Sequence, residues 1–514
     1  MKKLLLLSTG LILITISAQS VWAQFEVGKQ FFSPTWDNQT VVLTQDYTTT
    51  EVSTIQCFEI QAVNFTLDGA GHTLHGSGEK HPSSPGDHVG VKPRGPGAQN
   101  ITIKNLRITH WGSGMYAPGW SDGLLDSCLI DSNQGYAYQV GDECVNNELK
   151  NSVFRDNALR AMKLSRVQNF YVHDNEIIHN GYNDWEPETT GGGIDVFTSL
   201  SLNNRIENNL FENNKDYALS IYGGDLGMPK HTLVKGNIFK NNGIVVEDSD
   251  SNTFIDNTFD GSASIIEVAG GIGNVFIDCE FEGWTILDLR LSAGAKVTFI
   301  STSFDGASVS IAGDATELSV GWHVDATVTV DDAPVEGAIV QFYDKDQLLV
   351  AEDTTDAEGK IDTLDLIEYV ETTAGKSYVT PYSVVVSHDG TEIYSTSLDL
   401  TEDTHITTTT TATDDRAIPM VPDQFVLEQN HPNPFNPETV IHYQLPTSGQ
   451  VTLIVYDLNG HVVRILADGF RPAGRHAVQW DTKNDAGVKV ASGVYLYSFV
   501  AGEHRETRRM VLLR

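Results

Sequence analysis

Five short runs share one pattern, a small residue, an apolar one, a variable one and another apolar one. They are Gly114-Met-Tyr-Ala117, Ala137-Tyr-Gln-Val140, Ala161-Met-Lys-Leu164, Gly193-Ile-Asp-Val196 and Ala218-Leu-Ser-Ile221. In an extended chain successive side chains face opposite sides. The third position of each run therefore turns away from the core, and the five runs place Tyr116, Gln139, Lys163, Asp195 and Ser220 in one outward column. Continued along the chain, the same count reaches Val245 and Ile266, where the column stops being polar. Lys163 and Asp195 are its chemically capable members. Both are expected to face solvent, so that either can be replaced without loss of the fold.

Two insertions flank this column. One lies before the Asp195 run, at Tyr182-Asn-Asp-Trp-Glu-Pro-Glu-Thr-Thr-Gly191, and the other after the Ser220 run, at Tyr222-Gly-Gly-Asp-Leu-Gly-Met-Pro-Lys-His231. Loops carried on a rigid scaffold are where function concentrates. Trp185, Tyr182 and Tyr222 offer apolar faces, and Asp184, Glu186, Glu188 and Asp225 offer acceptors, a set that suits a sugar. Hydrolysis of a glycosidic bond needs two carboxyl groups about 5 Å or about 6.5 to 9.5 Å apart, which Asp195 with Glu186 or Asp184 can supply. β-Elimination needs a base for the proton α to a uronate carboxyl and a cation to steady the enolate. Lys163 is a candidate base, with Arg160 or a bound Ca²⁺ as the cation. The plainer alternative is that Lys163 and Asp195, as neighbours on adjacent strands, form only a surface ion pair worth about 0 to 1 kcal/mol.

What must hold the column in line is a repeat. From Ile103 to Phe304 an apolar residue, a small one three positions on and another apolar one two further recur nine times, as in Val172, Asn175, Ile177 and in Phe254, Asn257, Phe259. The middle position falls at 106, 128, 151, 175, 209, 237, 257, 279 and 302. Those steps run from 20 to 24 residues, apart from two of 34 and 28. A fixed period of this size makes a solenoid with one coil per repeat. β-Branched and aromatic residues, Asn-Asn and Asp-Gly turn pairs and no 3.6-residue periodicity make each coil a set of strands. Asn at 151, 175, 209, 237 and 257 predicts an internal amide ladder. On these residues, and on Phe65-Thr-Leu-Asp-Gly-Ala-Gly-His-Thr-Leu74, the stretch from about 50 to 312 resembles right-handed parallel β-helix repeat proteins, the fold of pectate lyases and NosD-like periplasmic proteins. That resemblance implies a fold and leaves the activity open. No motif of the pectinase or epimerase families is present.

The remaining chain frames these coils. Lys2 and Lys3, the apolar run Leu4 to Ile16 and Val21-Trp-Ala23 read as a signal peptide over 1–24. The apolar run is too short to span a bilayer, so an exported, soluble and monomeric chain is expected. A formal charge of −35 over 514 residues excludes nucleic acid and anionic lipid as partners and is compatible with calcium. Cys128 and Cys279 both fall on the ladder position six coils apart, about 29 Å at the usual strand spacing, so they are expected to be buried thiols. Cys57 and Cys144 are not expected to pair. His72, His75, His81 and His88 crowd a Gly/Pro/Ser-rich stretch; their spacing matches no ligand motif, although NosD-like proteins are associated with copper.

Residues 317–411 shift to short alternating strands. Gly337-Ala-Ile-Val340 and Thr355-Asp-Ala-Glu-Gly359 resemble a carboxypeptidase-regulatory-like sandwich, and Thr407 to Gln424 reads as an exposed linker. Residues 425–514 carry Asn430-His-Pro-Asn-Pro-Phe-Asn-Pro437, Val451-Thr-Leu-Ile-Val-Tyr-Asp-Leu-Asn-Gly460 and Ala491-Ser-Gly-Val-Tyr495. These blocks resemble the C-terminal sorting domain of type IX secretion cargo, which implies the type IX machinery as a partner and a cell-surface location. The expectation is an all-β chain: a right-handed parallel β-helix over 25–312, then two small Ig-like β-sandwiches. Its expected role is to act on extracellular polysaccharide as a lyase or glycoside hydrolase. A non-catalytic glycan-binding adhesin is the alternative, and a NosD-like metal-handling accessory a third reading.

Overall fold

The computed structural model describes residues 12–16, 23–25, 29–32, 36–49, 56–78, 88–95, 98–141, 143–182, 192–197, 201–223, 230–261, 264–282, 287–302, 308–410, 425–435, 438–447, 449–471, 474–485, 487–502 and 504–513. Its described elements are strands, and no described helix is long and apolar enough to cross a membrane. The chain divides into two compact units, one of residues 1–320 with 371–376 and one of 321–370 with 377–514.

Each coil of the first unit contributes a strand to three parallel sheets. The coil that begins at Thr102 supplies Thr102–Lys104, Arg107–Thr109 and Ser113–Pro118. In the first sheet Ile103 pairs with Leu125, which pairs in turn with Leu149. The same apolar file continues through Val172, Ile206, Val234, Phe254, Phe276 and Phe299. The second sheet holds ten described strands and the third twelve. Because register is kept from coil to coil, like residues stack: Phe211, Phe239 and Phe259 lie 4.9 and 4.8 Å apart by ring centre, the spacing of neighbouring strands. The interior is a closed file of such side chains, with Ile103, Leu125, Leu149, Ile206 and Phe254 at 0 to 1% exposure.

Between the first two strands of a coil the chain turns on one residue in the left-handed region, such as Asn105, Ser127, Asp174 or Asn208. Asn and Asp accept that conformation at least cost among residues bearing a Cβ. The next residue points inward and forms the ladder. The Asn175 Nδ2 and backbone N both donate to Asn209 Oδ1 at 3.0 and 3.1 Å, and Asn209 repeats this toward Asn237, as does Asn237 toward Asn257. Asn151 is not part of it. Its φ is 50° and its Nδ2 reaches Asp126 outside, whereas Ser152 takes the inward place and its N–H donates to Asn175 Oδ1. The count that reaches Asn151 starts at Glu148, but the inward residue of that strand is Leu149. A one-residue slip exchanges the two faces. Among the described residues two further buried amide ladders lie that the repeat does not predict, Asn133-Asn157-Asn180-Asn214-Asn242 at the second turn and Asn252-Asn274 at the third. Cys128 and Cys279 are buried ladder residues, each thiol turned to backbone carbonyls, and burial pushes the Cys128 thiol up to about 12. Cys57 and Cys144 are also buried.

In the second unit, Ile339–Tyr343, Leu349–Thr354, Tyr382–His388 and Thr391–Leu398 form an antiparallel sheet. Thr404–Thr410 is a strand paired in parallel with residues 324–330, which corrects the reading of Thr407 to Thr410 as linker. Threonine is β-branched and suits a pleated surface, and here Thr408 is buried. Residues 411–424 lie outside the described residues. A second sandwich follows, with Thr439–Leu445 between Val426–Leu427 and Gly474–Trp480 in one sheet. Gly449–Tyr456, Val462–Arg471, Gly493–Ala501 and His504–Leu512 form the other. The chain is thus all-β, a solenoid of coils followed by antiparallel sandwiches.

Candidate functional site

The third sheet presents the outward column. Gln139 pairs with Lys163, Lys163 with Asp195, and Asp195 with Ser220. Tyr116 sits one coil before Gln139, so all five expected residues share one file. Beyond Ser220 the file continues through Val245, Glu267 and Arg290. Ile266, expected in the file, is instead a buried core residue at 0% exposure. The outward residue of that strand is Glu267, one place beyond the count, and the column becomes ionic again after Val245.

A second outward row runs two residues along, where Phe197 pairs with Tyr222 and Tyr222 with Glu247. The two aromatic rings lie parallel, 5.8 Å apart and inclined by 3°. Between the two rows lies a cleft of about 500 Å³ lined by Arg160, Lys163, Asp195, Tyr217, Ser220 and Glu267 together with the aromatic pair. Close stacking fixes its floor. A Cβ on Gly193 would fall 1.8 Å from the Ala218 carbonyl oxygen, so only glycine lets the Asp195 strand lie against its neighbour. An irregularity in register between Tyr217 and Leu219 re-aims the Tyr217 ring, as bulges near sites do.

Asp195 faces outward yet is only 8% exposed, like Ser220 at 6%, so the expectation of a freely solvated side chain does not hold for Asp195. Arg160 Nε stands 3.5 Å from Asp195 Oδ2, both side chains nearly enclosed. The close ion pair of Asp195 is therefore with Arg160. Lys163 Nζ lies 5.5 Å from the Tyr136 ring centre and adds a second positive field. Burial raises the Asp195 carboxyl above the ordinary carboxylate range, and Arg160 and Lys163 only partly oppose it. Across the cleft, the Tyr217 hydroxyl donates to Glu267 Oε2 at 2.9 Å. Burial and that carboxylate push the Tyr217 phenol up to about 12, so Tyr217 stays protonated. Burial, with Asp248 and Glu267 nearby, also raises Glu247.

Of the other expected site residues, Tyr116 lines a separate hollow and Gln139 lies between it and the cleft. Asp184, Trp185, Glu186 and Asp225 lie outside the described residues, as do Glu188 and most of both flanking loops. Tyr182 is exposed and its ring stacks on His179 at 4.4 Å. Phe197, Tyr217, Glu247 and Glu267 are site residues that the sequence reading misses. Three of them follow from the outward column by simple rules: Phe197 and Glu247 stand two residues beyond Asp195 and Val245, and Glu267 is one place from the position counted.

Among the described residues the histidines of the amino-terminal stretch keep separate partners. His72 Nδ1 faces Asp46 Oδ1 at 3.2 Å, His75 stacks on His110 at 4.4 Å, and His88 is buried against Trp111. His81 lies outside the described residues. Among the described residues no three His, Cys, Asp or Glu side chains are placed to hold one metal ion.

Residues 95–281 match the family model described as right handed beta helix region, and residues 437–504 that of the FlgD Ig-like domain. Among solved structures, the A-module of a mannuronan C-5 epimerase from Azotobacter vinelandii is 13% identical over 55% of this chain and 89% of its own, with a TM-score of 0.37. The catalytic unit of an alpha-1,3-glucanase from Streptomyces thermodiastaticus is 13% identical over 57% and 62%, with a TM-score of 0.36. The Dettilon tailspike protein is 13% identical over 82% and 80%, with a TM-score of 0.38. No curated protein matches the chain at a significant level. Three parallel sheets in coil register, laddered turns and the family match together mark residues 95–281 as a right-handed β-helix region.

Proposed function

We propose that the chain is exported and acts on an extracellular polysaccharide at the Asp195 cleft. The observation that carries this is the meeting, on one outward sheet face, of an enclosed carboxyl, two cations and a stacked aromatic pair. An enclosed Asp with a raised pKa, flanked by Arg160 and Lys163, is costly to bury without function. A sugar suits the cleft because its ring offers an apolar face to the aromatic pair and its hydroxyls and carboxylate suit the charged row.

The described carboxylates favour proton abstraction over hydrolysis. Glu247 and Glu267 stand two and three coils from Asp195, roughly 10 and 14 Å along the axis. Paired carboxyl groups in glycosidases stand about 5 to 9.5 Å apart. In a lyase-type reaction Asp195 takes the C5 proton α to a uronate carboxyl, its raised pKa bringing it nearer the working pH of a base; the C4–O bond then breaks as the C4=C5 double bond forms, and the departing sugar oxygen takes its proton from water. Arg160 and Lys163 neutralise the carboxylate as the enolate forms, and Phe197 and Tyr222 hold a sugar face. Lys163, rather than Asp195, is the alternative base.

The test is a screen against uronate and neutral polysaccharides, following unsaturated products by ultraviolet absorbance and new reducing ends by colour. Asp195→Asn, as loss of the general base, and Lys163→Ala, as loss of charge stabilisation, are each expected to lower turnover at least ~100-fold, while glycan binding persists. Silence of the wild-type chain across the panel, with binding on a glycan array, makes this a glycan-binding protein instead; the Phe197–Tyr222 stack supports that second reading. For export, support lies in the sequence blocks between Asn430 and Tyr495. Deleting residues 425–514 is expected to keep the chain from the cell surface, measured by protease accessibility on intact cells.

A further inference from the structure

A second hollow of about 670 Å³ opens on the same unit, lined by Lys92, Arg94, Gln99, Tyr116, Ser121 and Glu143. Lys92 and Tyr116 belong to neighbouring coils of the third sheet, and Lys92 Nζ lies 5.2 Å from the Tyr116 ring centre. From the Lys92 coil to that of Lys163 is three coil steps, about 14 Å. The hollow is therefore distinct from the Asp195 cleft.

Its guanidinium is anchored from below. Glu59, on the preceding coil, is 2% exposed, and its Oε1 accepts from Arg94 Nη1 at 3.0 Å. A buried carboxylate is costly unless paired, and here it fixes a guanidinium whose side chain is 59% exposed. A guanidinium carries five N–H donors in a planar fork, so one bond to Glu59 does not exhaust it. Glu59 is thereby spent below the surface. The surface itself presents Arg94, Lys92 and an aromatic face, on a chain whose net charge is −35. Glu143, exposed at the rim, is the one opposing charge among the described lining residues.

We infer that this hollow is a binding site for an acidic sugar unit, its carboxylate or sulfate taken by Arg94 and Lys92 and its ring laid on Tyr116. Only the choice of a glycan rests on the carbohydrate reading of the Asp195 cleft. The site gives that reading a charge class and a distant anchor for a chain lying across the coils. A lone Lys-over-Tyr contact would serve packing and would be indifferent to ligand charge.

The test titrates the full chain calorimetrically with oligogalacturonate, with sulfated oligosaccharides and with their uncharged counterparts. Expected is tighter binding of an acidic oligomer than of its uncharged form, weakening with salt. Lys92→Gln is expected to weaken that binding about tenfold, the loss of one charge-assisted bond. Glu143→Gln is expected to tighten it several-fold by removing the opposing charge. Neither variant removes a member of the Glu59–Arg94 pair, and thermal melts check that both fold. Equal binding of charged and uncharged oligomers, no acidic oligomer bound, or Glu143→Gln without gain overturns the proposal. Binding lost in Asp195→Asn but kept in Lys92→Gln overturns it while leaving the cleft reading standing. Binding that follows Lys92 in a chain with no turnover does the reverse.

Discussion

Asp195 carries the cost of the cleft. Its carboxyl is raised because burial outweighs the help of Arg160 and Lys163, so its ionised form is worse off in the folded chain than in the unfolded one. A raised folded pKa means a stability contribution fully present below about 3.9, the unfolded value, and lost as pH rises through the folded value. Asp195→Asn removes that titration and keeps an oxygen facing Arg160. Near neutral pH the variant should therefore melt at or above the wild-type temperature, and the difference should vanish below about pH 4. Scanning calorimetry across pH measures this, and a variant that melts lower near neutrality and equally low in acid contradicts it. The column itself was legible because strand alternation needs only a phase, which the small residues Gly114, Ala137, Ala161, Gly193 and Ala218 supply. Phe197 and Tyr222 sit on the same face two residues further, so the same rule reaches the stacked pair. Tyr217 was beyond reach, because the irregularity before Leu219 breaks the alternation that would have placed it.

At the scale of the coil, the turn residues divide into two kinds that sequence cannot tell apart by type. Asn151 and Asn175 are the same residue in the same repeat, yet one is left-handed and exposed and the other inward and buried. What separates them is the register of the strand before, and Glu148 beside Leu149 leaves that register ambiguous. The difference has an energetic signature. Asn209 receives two bonds from Asn175, donates to Asn237 and holds the Val172 carbonyl. Asn209→Ala strands several of these groups in the interior, and each unmet buried group costs about 1 to 3 kcal/mol. A loss of about 3 kcal/mol or more is expected by urea unfolding. Ser152→Ala, which removes the acceptor of the Cys128 N–H at 3.1 Å, should cost about 1 to 3 kcal/mol. Asn151→Gly should be nearly neutral, since glycine takes the left-handed φ without strain. If Asn151→Gly proves the costlier of the last two, the ladder runs through Asn151 after all.

The whole molecule combines two ways of building stability. In the β-helix a coil touches its neighbours, so stability adds along the axis and a change at one end fades within a few coils. The sandwiches instead close around their own cores. Val324, Val340, Phe342, Val384 and Leu400 belong to one cluster, and Tyr443, Val455, Trp480, Tyr497 and Phe499 to another. Alternation and turn pairs make both sandwiches readable as strands. The Thr run misleads because its composition suits a linker, while its β-branching suits the strand that it forms, Thr404–Thr410. Separate cores predict separate melting. A full chain without residues 1–24 should show at least two calorimetric transitions, and removal of residues 425–514 should delete one of them. The β-helix transition should stay where it was, because its ladders and phenylalanine stacks involve none of the deleted residues. It is recognised by its dependence on the Asn209→Ala substitution, which should lower it alone. A single transition that shifts as a whole on truncation would mean instead that the coils depend on the C-terminal sandwich for their stability.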